Sequence, residues 1–234
     1  KMIPVLFFIA AFFNGVVVAD GMVIDKIYHP YVQESEQELE FRAVLQDRQP
    51  RSPSNNHLYR FAYGRSLSDR WFAEVYLTGN KSDATSFELS AVEFELKWQL
   101  TEQGEYSADW GLLFELAKSI DKDIYELSSG VIVEKELGQW SHTANVIIEQ
   151  EWGADIVDEL ESALTMQSRY RYSQRLEPGI EFYMGQDTLA AGPVVMGQLR
   201  WGSRQKIKWE SGAIFGLDKK SPDLALRLLF EYEF

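Results

Sequence analysis

Residues 224–234, LALRLLFEYEF, alternate strictly between two kinds of side chain. One series is apolar or aromatic throughout, namely Leu224, Leu226, Leu228, Phe230, Tyr232 and Phe234. Charged residues occur only in the other series, at Arg227, Glu231 and Glu233. Successive side chains of a β-strand point to opposite faces, so this stretch predicts a strand with one apolar face and one charged face. Taken alone, such a strand suits a barrel in a bilayer and a soluble sandwich equally well.

The same alternation recurs along the chain from residue 36 onward, in stretches separated by clusters of turn residues. Stretches of about nine to fourteen residues are long enough to cross a bilayer when they are tilted. No linker rich in Pro, Gly or Ser divides residues 36–234, which predicts a single domain. The candidate strands are 36–46, 57–65, 70–78, 87–101, 108–118, 124–137, 140–152, 159–172, 178–186, 191–201, 206–217 and 223–234.

The tryptophans give an independent indication of the environment. Six of them lie beside alternate connections, which we assign to the periplasmic side, and only Trp152 lies at the opposite end of its strand. The six are Trp71, Trp98, Trp110, Trp140, Trp201 and Trp209. Aromatic rings gather at the two interfaces of a membrane barrel, whereas a sandwich would place them in its core. The pattern therefore favours an all-β fold, a closed antiparallel transmembrane β-barrel of about twelve strands.

The first residues are typical of an export signal. Lys1 is followed by an apolar run over residues 2–13, and Val17, Val18 and Ala19 form a small-residue cleavage pattern. We therefore expect residues 1–19 to be a signal peptide. Residues 20–35 show no alternation, and we expect an N-terminal extension that is either periplasmic or folded into the barrel mouth as a plug.

These features together resemble small Gram-negative outer-membrane β-barrel proteins of the porin-like, transporter type. The resemblance covers the whole mature chain through general features and includes no solute-specific motif. It implies a location in the cell outer membrane, with outer-membrane lipid and the barrel-assembly machinery as partners. Phe230, Tyr232 and Phe234 resemble the terminal signal that this machinery reads.

Composition excludes several other classes of function. The formal net charge of −13 makes nucleic acid an improbable partner. The chain contains no cysteine, which excludes disulfides and thiolate metal sites. His29 and His57 are isolated and offer no metal-ligand spacing. We therefore expect neither a cofactor nor a metal site.

The charged faces of the strands would line the lumen. Our candidate selectivity residues are Glu93, Glu95, Lys97, Glu134, Glu136, Glu149, Glu151, Arg169, Arg171, Arg200 and Lys208. Their order along the chain suggests an acidic wall on the fourth to seventh strands opposite a basic group on the eighth to eleventh. One interpretation is a narrow passive channel for small polar solutes or ions. The alternative is a sealed structural barrel, filled by ion pairs, that binds a periplasmic or membrane partner.

An enzyme is the remaining class, because outer-membrane phospholipase A is also a barrel with an outward-facing His and Ser. The nearest residues in this chain are Ser141, His142 and Asn145. Adjacent residues of a strand point to opposite faces, so Ser141 and His142 would not form a nucleophile and base. We therefore expect no enzyme activity, with lipid hydrolysis as the least favoured reading.

Overall fold

The computed structural model describes residues 23–47, 55–83, 85–201 and 205–234. The predicted signal peptide, residues 1–19, lies outside the described residues. Within the described ranges, no helix is long and apolar enough to cross a membrane. The described residues form the strands β1 (Gln37–Gln46), β2 (Asn56–Ser66), β3 (Trp71–Ser82), β4 (Glu88–Gln99), β5 (Asp109–Ser119), β6 (Ile124–Leu137), β7 (Trp140–Gly153), β8 (Glu159–Tyr170), β9 (Glu177–Met184), β10 (Leu189–Trp201), β11 (Gln205–Gly216) and β12 (Leu224–Glu233).

Each strand pairs antiparallel with its neighbours in sequence, and β1 closes the barrel on β12. Phe41 of β1 lies opposite Phe230 of β12 on one side and Phe61 of β2 on the other. Among the described residues, closure leaves no strand at the edge of the sheet, as a bilayer requires. The predicted twelve-strand antiparallel barrel is confirmed. The largest shift in a strand end is at β3, which continues past Thr78 to Ser82. It stays paired with β2 to Ser82, and its register with β4 shifts between Thr78 and Gly79.

The alternation in sequence becomes an alternation between the outside and the lumen. Buried and exposed residues alternate along β12, where Arg227, Glu231 and Glu233 are buried and Leu226 and Phe230 are exposed. The residues that we expect to face lipid all lie on the outer series of their strands: Phe94, Leu96, Leu112, Phe114, Leu164, Phe215 and Leu228. An apolar exterior around a polar interior is the arrangement of a transmembrane barrel.

Aromatic rings stack in pairs at the end where β1 begins and β12 ends, which we name the periplasmic end. Trp71 stacks on Trp98 with ring centroids 4.8 Å apart, and Trp201 stacks on Tyr232 at 6.0 Å. At the opposite end, named the outer end, Trp152 stacks on Tyr125 at 5.8 Å. These pairs join neighbouring strands at the heights where a bilayer meets water.

Residues 23–36, which we name the N-terminal segment, run inside the barrel. Glu36 joins β1 at the periplasmic end, and its carbonyl accepts a hydrogen bond from the Ser66 backbone. Val23 reaches the outer end, where the connection between β9 and β10 places Gly185 against it. A Cβ at Gly185 would approach the Val23 side chain to 2.6 Å, so a larger residue there would force Val23 to move. The segment therefore occupies the length of the lumen.

The N-terminal segment packs against apolar residues on the inner faces of the strands. Ile24 and Ile27 are buried in a cluster that includes Ile214 and Tyr183 of the barrel wall. Tyr28 packs in a second cluster, made of the residues Leu113 and Ile132. Inward-facing Leu113 and Ile132 interrupt the polar lining that alternation alone would predict, and they provide an apolar contact surface for the N-terminal segment.

Candidate channel lumen

The structure places every candidate selectivity residue on the lumen side of the barrel or at its rim. Glu93, Glu95 and Glu134 are buried deep in the lumen, whereas Arg200 lies exposed at the periplasmic end. Arg171 lies just beyond the end of β8. The remaining members follow the inner series of their strands: Lys97, Glu136, Glu149, Glu151, Arg169 and Lys208. Their placement agrees with a charged lining, and their role in selection remains a proposal.

Side chains of the wall hold the backbone of the N-terminal segment. The backbone N–H of Tyr28 donates to Asn145 Oδ1 over 2.8 Å, and Asn145 Nδ2 donates to the Tyr28 carbonyl over 2.9 Å. The Val32 N–H donates to Gln99 Oε1 over 2.6 Å. The Tyr28 hydroxyl also donates to Glu95 over 2.8 Å. These bonds satisfy buried backbone groups that have no strand ladder to join.

Two charged residues of the N-terminal segment are paired with the wall. Asp25 lies 2.6 Å from Arg42 and 3.0 Å from Arg60. Burial alone would raise the pKa of Asp25, but the two guanidinium groups prevail and lower it to about 2. Lys26 lies 2.5 Å from Glu40 and also pairs with Glu231. Burial opposes its charge, but these carboxylates raise the pKa of Lys26 well above its ordinary value. Both residues therefore remain charged at neutral pH.

Buried ion pairs fill the part of the lumen beside β9, β11 and β12. Arg227 has 0% of its surface exposed and lies 2.5 Å from Glu181 and 2.7 Å from Glu210. The Tyr183 hydroxyl donates to Glu181 over 2.7 Å. Removing one member of such a network leaves an uncompensated buried charge. The network therefore holds β9, β11 and β12 together on the lumen side.

The expected acidic wall opposite a basic wall is wrong. Arg169 Nη2 lies 3.4 Å from Glu134, and Arg171 Nη2 lies 2.6 Å from Glu136. In both pairs the arginine reaches across β7 to β6. The register places Arg169, Ser141 and Glu136 in one row, so Arg169 reaches Glu134 diagonally, one inward-facing position away. Lys208 likewise pairs with Glu233 over 2.6 Å on the adjacent β12. Arg169, Arg171 and Lys208 therefore neutralise nearby acids, and the N-terminal segment occupies the space between the walls.

A polar cavity of about 130 Å³ remains beside the N-terminal segment, in the half of the lumen nearer the outer end. Its lining includes Asp25 and Arg60 on one side and the inner faces of β5 to β8 on the other. The wall is strongly acidic, with Glu115, Glu126, Glu149 and Glu161. This part of the lumen has room for water or a small solute.

Sequence reasoning missed several lumen residues. Glu126 and Glu159 were absent from our lumen set, although their position in the alternation of β6 and β8 gives them an inward direction. Asp25, Lys26 and His29 were missed for another reason, because residues 20–35 have no periodicity that predicts their surroundings. His29 Nδ1 lies 2.5 Å from Glu134, so the segment also contacts β6 near the periplasmic end.

The residues considered for lipid hydrolysis, Ser141 and His142, do not form a catalytic pair. Ser141 is fully buried in the lumen, where it donates to Glu134 over 2.6 Å. His142 points outward and stacks against Trp140 with ring centroids 6.2 Å apart. Asn145 holds the N-terminal segment. Because Ser141 and His142 point in opposite directions, they cannot act as the nucleophile and base of a lipid hydrolase.

No protein family and no curated protein matches the chain. Among solved structures, it is similar to the COG4313 outer membrane channel from Pseudomonas putida F1, with 13% identity, a TM-score of 0.55, and coverage of 93% of this chain and 100% of that one. The KdgM porin in complex with disordered oligogalacturonate gives 12% identity, a TM-score of 0.54, and coverage of 84% and 99%. The beta domain of the Bordetella autotransporter BrkA gives 10% identity, a TM-score of 0.58, and coverage of 86% and 100%. Identities this low show the fold alone, and by fold the chain is an outer-membrane β-barrel, as predicted.

Proposed function

We propose that this protein is a narrow outer-membrane channel for small polar solutes or ions, held closed by its N-terminal segment. The observation that carries the proposal is the way in which the segment is attached. Its described residues belong to no strand of the barrel, and wall side chains such as Asn145 and Gln99 hold it. A segment bound in this way can leave the lumen without breaking the hydrogen-bonded closure of the barrel.

The lining favours cations over anions. Glu115, Glu126, Glu149 and Glu161 line the cavity together, and Arg60 and Lys26 are the basic residues beside them. Rings of carboxylates attract cations into a pore and repel anions. The oligogalacturonate named with the KdgM porin is a polyanion and belongs to that protein, and an acidic lining would oppose a ligand of that kind.

A sealed scaffold is the second candidate, favoured by the filling of the lumen. Arg42 and Arg227 are fully buried in ion pairs, and Ile24 and Ile27 pack into an apolar cluster with the wall. A barrel that is closed permanently would keep this arrangement in every state. It would then act through its surface, by binding a periplasmic or membrane partner.

Single-channel recording of the refolded protein in planar bilayers separates the two candidates. The channel proposal predicts brief openings for the wild type, with a reversal potential in a KCl gradient that shows preference for K⁺. Asn145→Ala removes two hydrogen bonds to the N-terminal segment and should lengthen or multiply the openings. Asn80→Ala, at an exposed position on β3, is the matched control. Electrical silence of the wild type and of Asn145→Ala would favour the scaffold.

A further inference from the structure

A groove of about 470 Å³ opens on the outer surface of the barrel, across β1 to β4 and near the outer end. A volume of this size is within the range of small-molecule pockets, about 300–1,000 Å³. Because the groove faces the bilayer, its natural occupant is a lipid and not a solute of the lumen. Most of its lining is aromatic or aliphatic: Phe41, Tyr59, Phe61, Leu77, Phe87 and Leu89.

Gly79 gives the groove its depth. The register sets Gly79 between the larger Tyr59 of β2 and Leu89 of β4, in one outward-facing row. The Phe87 ring lies against Gly79, where a Cβ would come within 2.5 Å of the ring. The same ring meets Tyr59 edge to face, with ring centroids 5.9 Å apart. These contacts form a depression with aromatic sides, along which an acyl chain would fit.

Positive charge lies at the end of the groove nearer the outer end of the barrel. Lys81 belongs to the lining, is exposed, and lies directly opposite His57 of β2. Among the described residues, no carboxylate forms an ion pair with Lys81. Asp83, two positions along the chain, accepts hydrogen bonds from Asn55 instead. His57 Nδ1 also has no hydrogen-bond partner in the part of the chain that the structure describes. An unpaired cation beside an apolar groove is complementary to a lipid phosphate.

The height of these groups matches a lipid of the outer leaflet. Lys81 is the last residue but one of β3, and His57 is the second residue of β2, so both lie at the outer end. The apolar lining begins one row further into the membrane, at Tyr59 and Gly79. Lysine covers apolar surface with its stem while its ammonium group stays at the interface. A headgroup beside Lys81 would therefore continue into an acyl chain in the groove.

We propose that the groove binds one phosphorylated lipid of the outer leaflet, with an acyl chain along Phe61 and Leu77 and the phosphate beside Lys81 and His57. Ordinary contact with the bilayer would cover the apolar lining, but it would not select for a phosphate. Selection for phosphate is thus the property that distinguishes a site from general lipid contact. The groove lies outside the barrel, so the site does not depend on whether the lumen conducts.

Two lipids that differ only in the phosphate test the site, namely dioleoyl phosphatidic acid and dioleoylglycerol. The refolded protein in detergent micelles is titrated with each lipid, and native mass spectrometry measures the bound fraction. We expect the wild type to bind one phosphatidic acid about tenfold more tightly than dioleoylglycerol, as for one charge-assisted hydrogen bond. Lys81→Gln should lose this preference and bind the two lipids equally. Lys135→Gln removes the same charge from an exposed, outward-facing position on β6 and should keep the preference.

A second pair of variants tests the position of the acyl chain. Leu77→Trp fills the groove without changing the charge and should weaken the binding of both lipids several-fold. Leu116→Trp adds the same ring to an exposed position on the outer face of β5 and should bind both lipids as the wild type does. Heat-modifiable gel migration checks that each variant is folded before the titration.

Four results would overturn the proposal. Equal affinity of the wild type for the two lipids would mean that the groove makes only apolar contact with the bilayer. An unchanged preference for phosphatidic acid in Lys81→Gln would place the phosphate elsewhere. Equal binding by Leu77→Trp and the wild type would show that the acyl chain lies outside the groove. Displacement of phosphatidic acid by an excess of inorganic phosphate would indicate a site for the free anion and not for a lipid.

Discussion

Asn145 of β7 forms a reciprocal pair of hydrogen bonds with the backbone of Tyr28. Its side-chain oxygen accepts from the Tyr28 N–H over 2.8 Å, and its side-chain nitrogen donates to the Tyr28 carbonyl over 2.9 Å. One amide side chain thus satisfies both the N–H and the carbonyl of Tyr28, as the backbone of a neighbouring strand would. Asn145 itself is buried, so water does not readily replace it.

Asn145→Ala should destabilise the closed barrel by about 2 kcal/mol, since two buried backbone groups lose their partners. Unfolding by urea in micelles, followed through tryptophan fluorescence, measures this difference. Asn80→Ala lies at an exposed position and should change the free energy of unfolding by less than about 0.5 kcal/mol. An Asn145→Ala protein as stable as this control would mean that the N-terminal segment is not held at Tyr28.

A second prediction concerns the apolar residues of β4, which point outward to the lipid. Phe94 lies on the outer face near the middle of β4, and Glu95 points inward to the Tyr28 hydroxyl. Phe94→Arg should cost about 2–4 kcal/mol in bilayers, because a charge near the midplane of the membrane is poorly solvated. Glu95→Gln keeps an acceptor for the Tyr28 hydroxyl and should cost far less. Folding titrations into lipid vesicles compare the two variants. A larger loss of stability for Glu95→Gln than for Phe94→Arg would mean that the inward and outward faces of β4 are assigned the wrong way round.

The strands could be predicted because a bilayer and a wet lumen impose opposite demands on alternate residues. That demand appears locally, as in the run from Val92 to Lys97, where every second residue is apolar. The N-terminal segment could not be predicted in the same way. Tyr28 meets Asn145, which is 117 positions away in the chain, and no local pattern encodes that contact.

Register explains the other differences. Glu126 and Glu151 lie opposite each other because of how β6 and β7 pair, and no spacing along the chain reveals that pairing. The same pairing of β6, β7 and β8 brings Arg169 and Glu134 into contact, where the order along the chain suggested opposite walls. Leu113 belongs to the inner series of β5, and its contact with Tyr28 explains why this position of the lining is apolar.

Acid should weaken the attachment of the N-terminal segment. The pKa of Asp25 falls from 3.8 to about 2 on folding, since Arg42 and Arg60 outweigh the effect of burial. A carboxyl with a lowered folded pKa stabilises the folded state above its unfolded pKa, and this contribution is lost as the pH falls through the folded pKa. Stability from Asp25 is therefore complete above about pH 4 and vanishes towards pH 2.

Asp25→Asn should consequently cost about 2 kcal/mol at pH 7, and the difference from wild type should shrink steadily between about pH 4 and pH 2. Urea unfolding in micelles at a series of pH values gives the comparison. Asp69→Asn removes a carboxylate from an exposed turn and controls for net charge. A difference between Asp25→Asn and wild type that stays constant down to pH 2 would contradict the role of charge at this position.

The last aromatic residue makes a prediction about assembly. Phe234 stacks on Tyr232 with ring centroids 5.4 Å apart, and Tyr232 stacks in turn on Trp201. The Phe234 N–H donates to the Gln37 carbonyl over 3.0 Å, so the residue also joins β12 to β1 at the periplasmic end. Phe234 therefore has a structural role, and we predict a separate role in the assembly signal; the two roles have different consequences.

Phe234→Ala keeps the backbone hydrogen bond to Gln37 and removes only the ring. If Phe230, Tyr232 and Phe234 form the assembly signal, this variant should reach the outer membrane in several-fold lower amount while losing only about 1 kcal/mol of stability in micelles. The folded, heat-modifiable form in membrane fractions measures assembly, and urea unfolding of refolded protein measures stability. Leu226→Ala removes an exposed apolar side chain from the same strand away from its end and is the matched control. Equal amounts of the two variants in the outer membrane would contradict this prediction. The Phe234 ring would then act only as an anchor at the membrane interface.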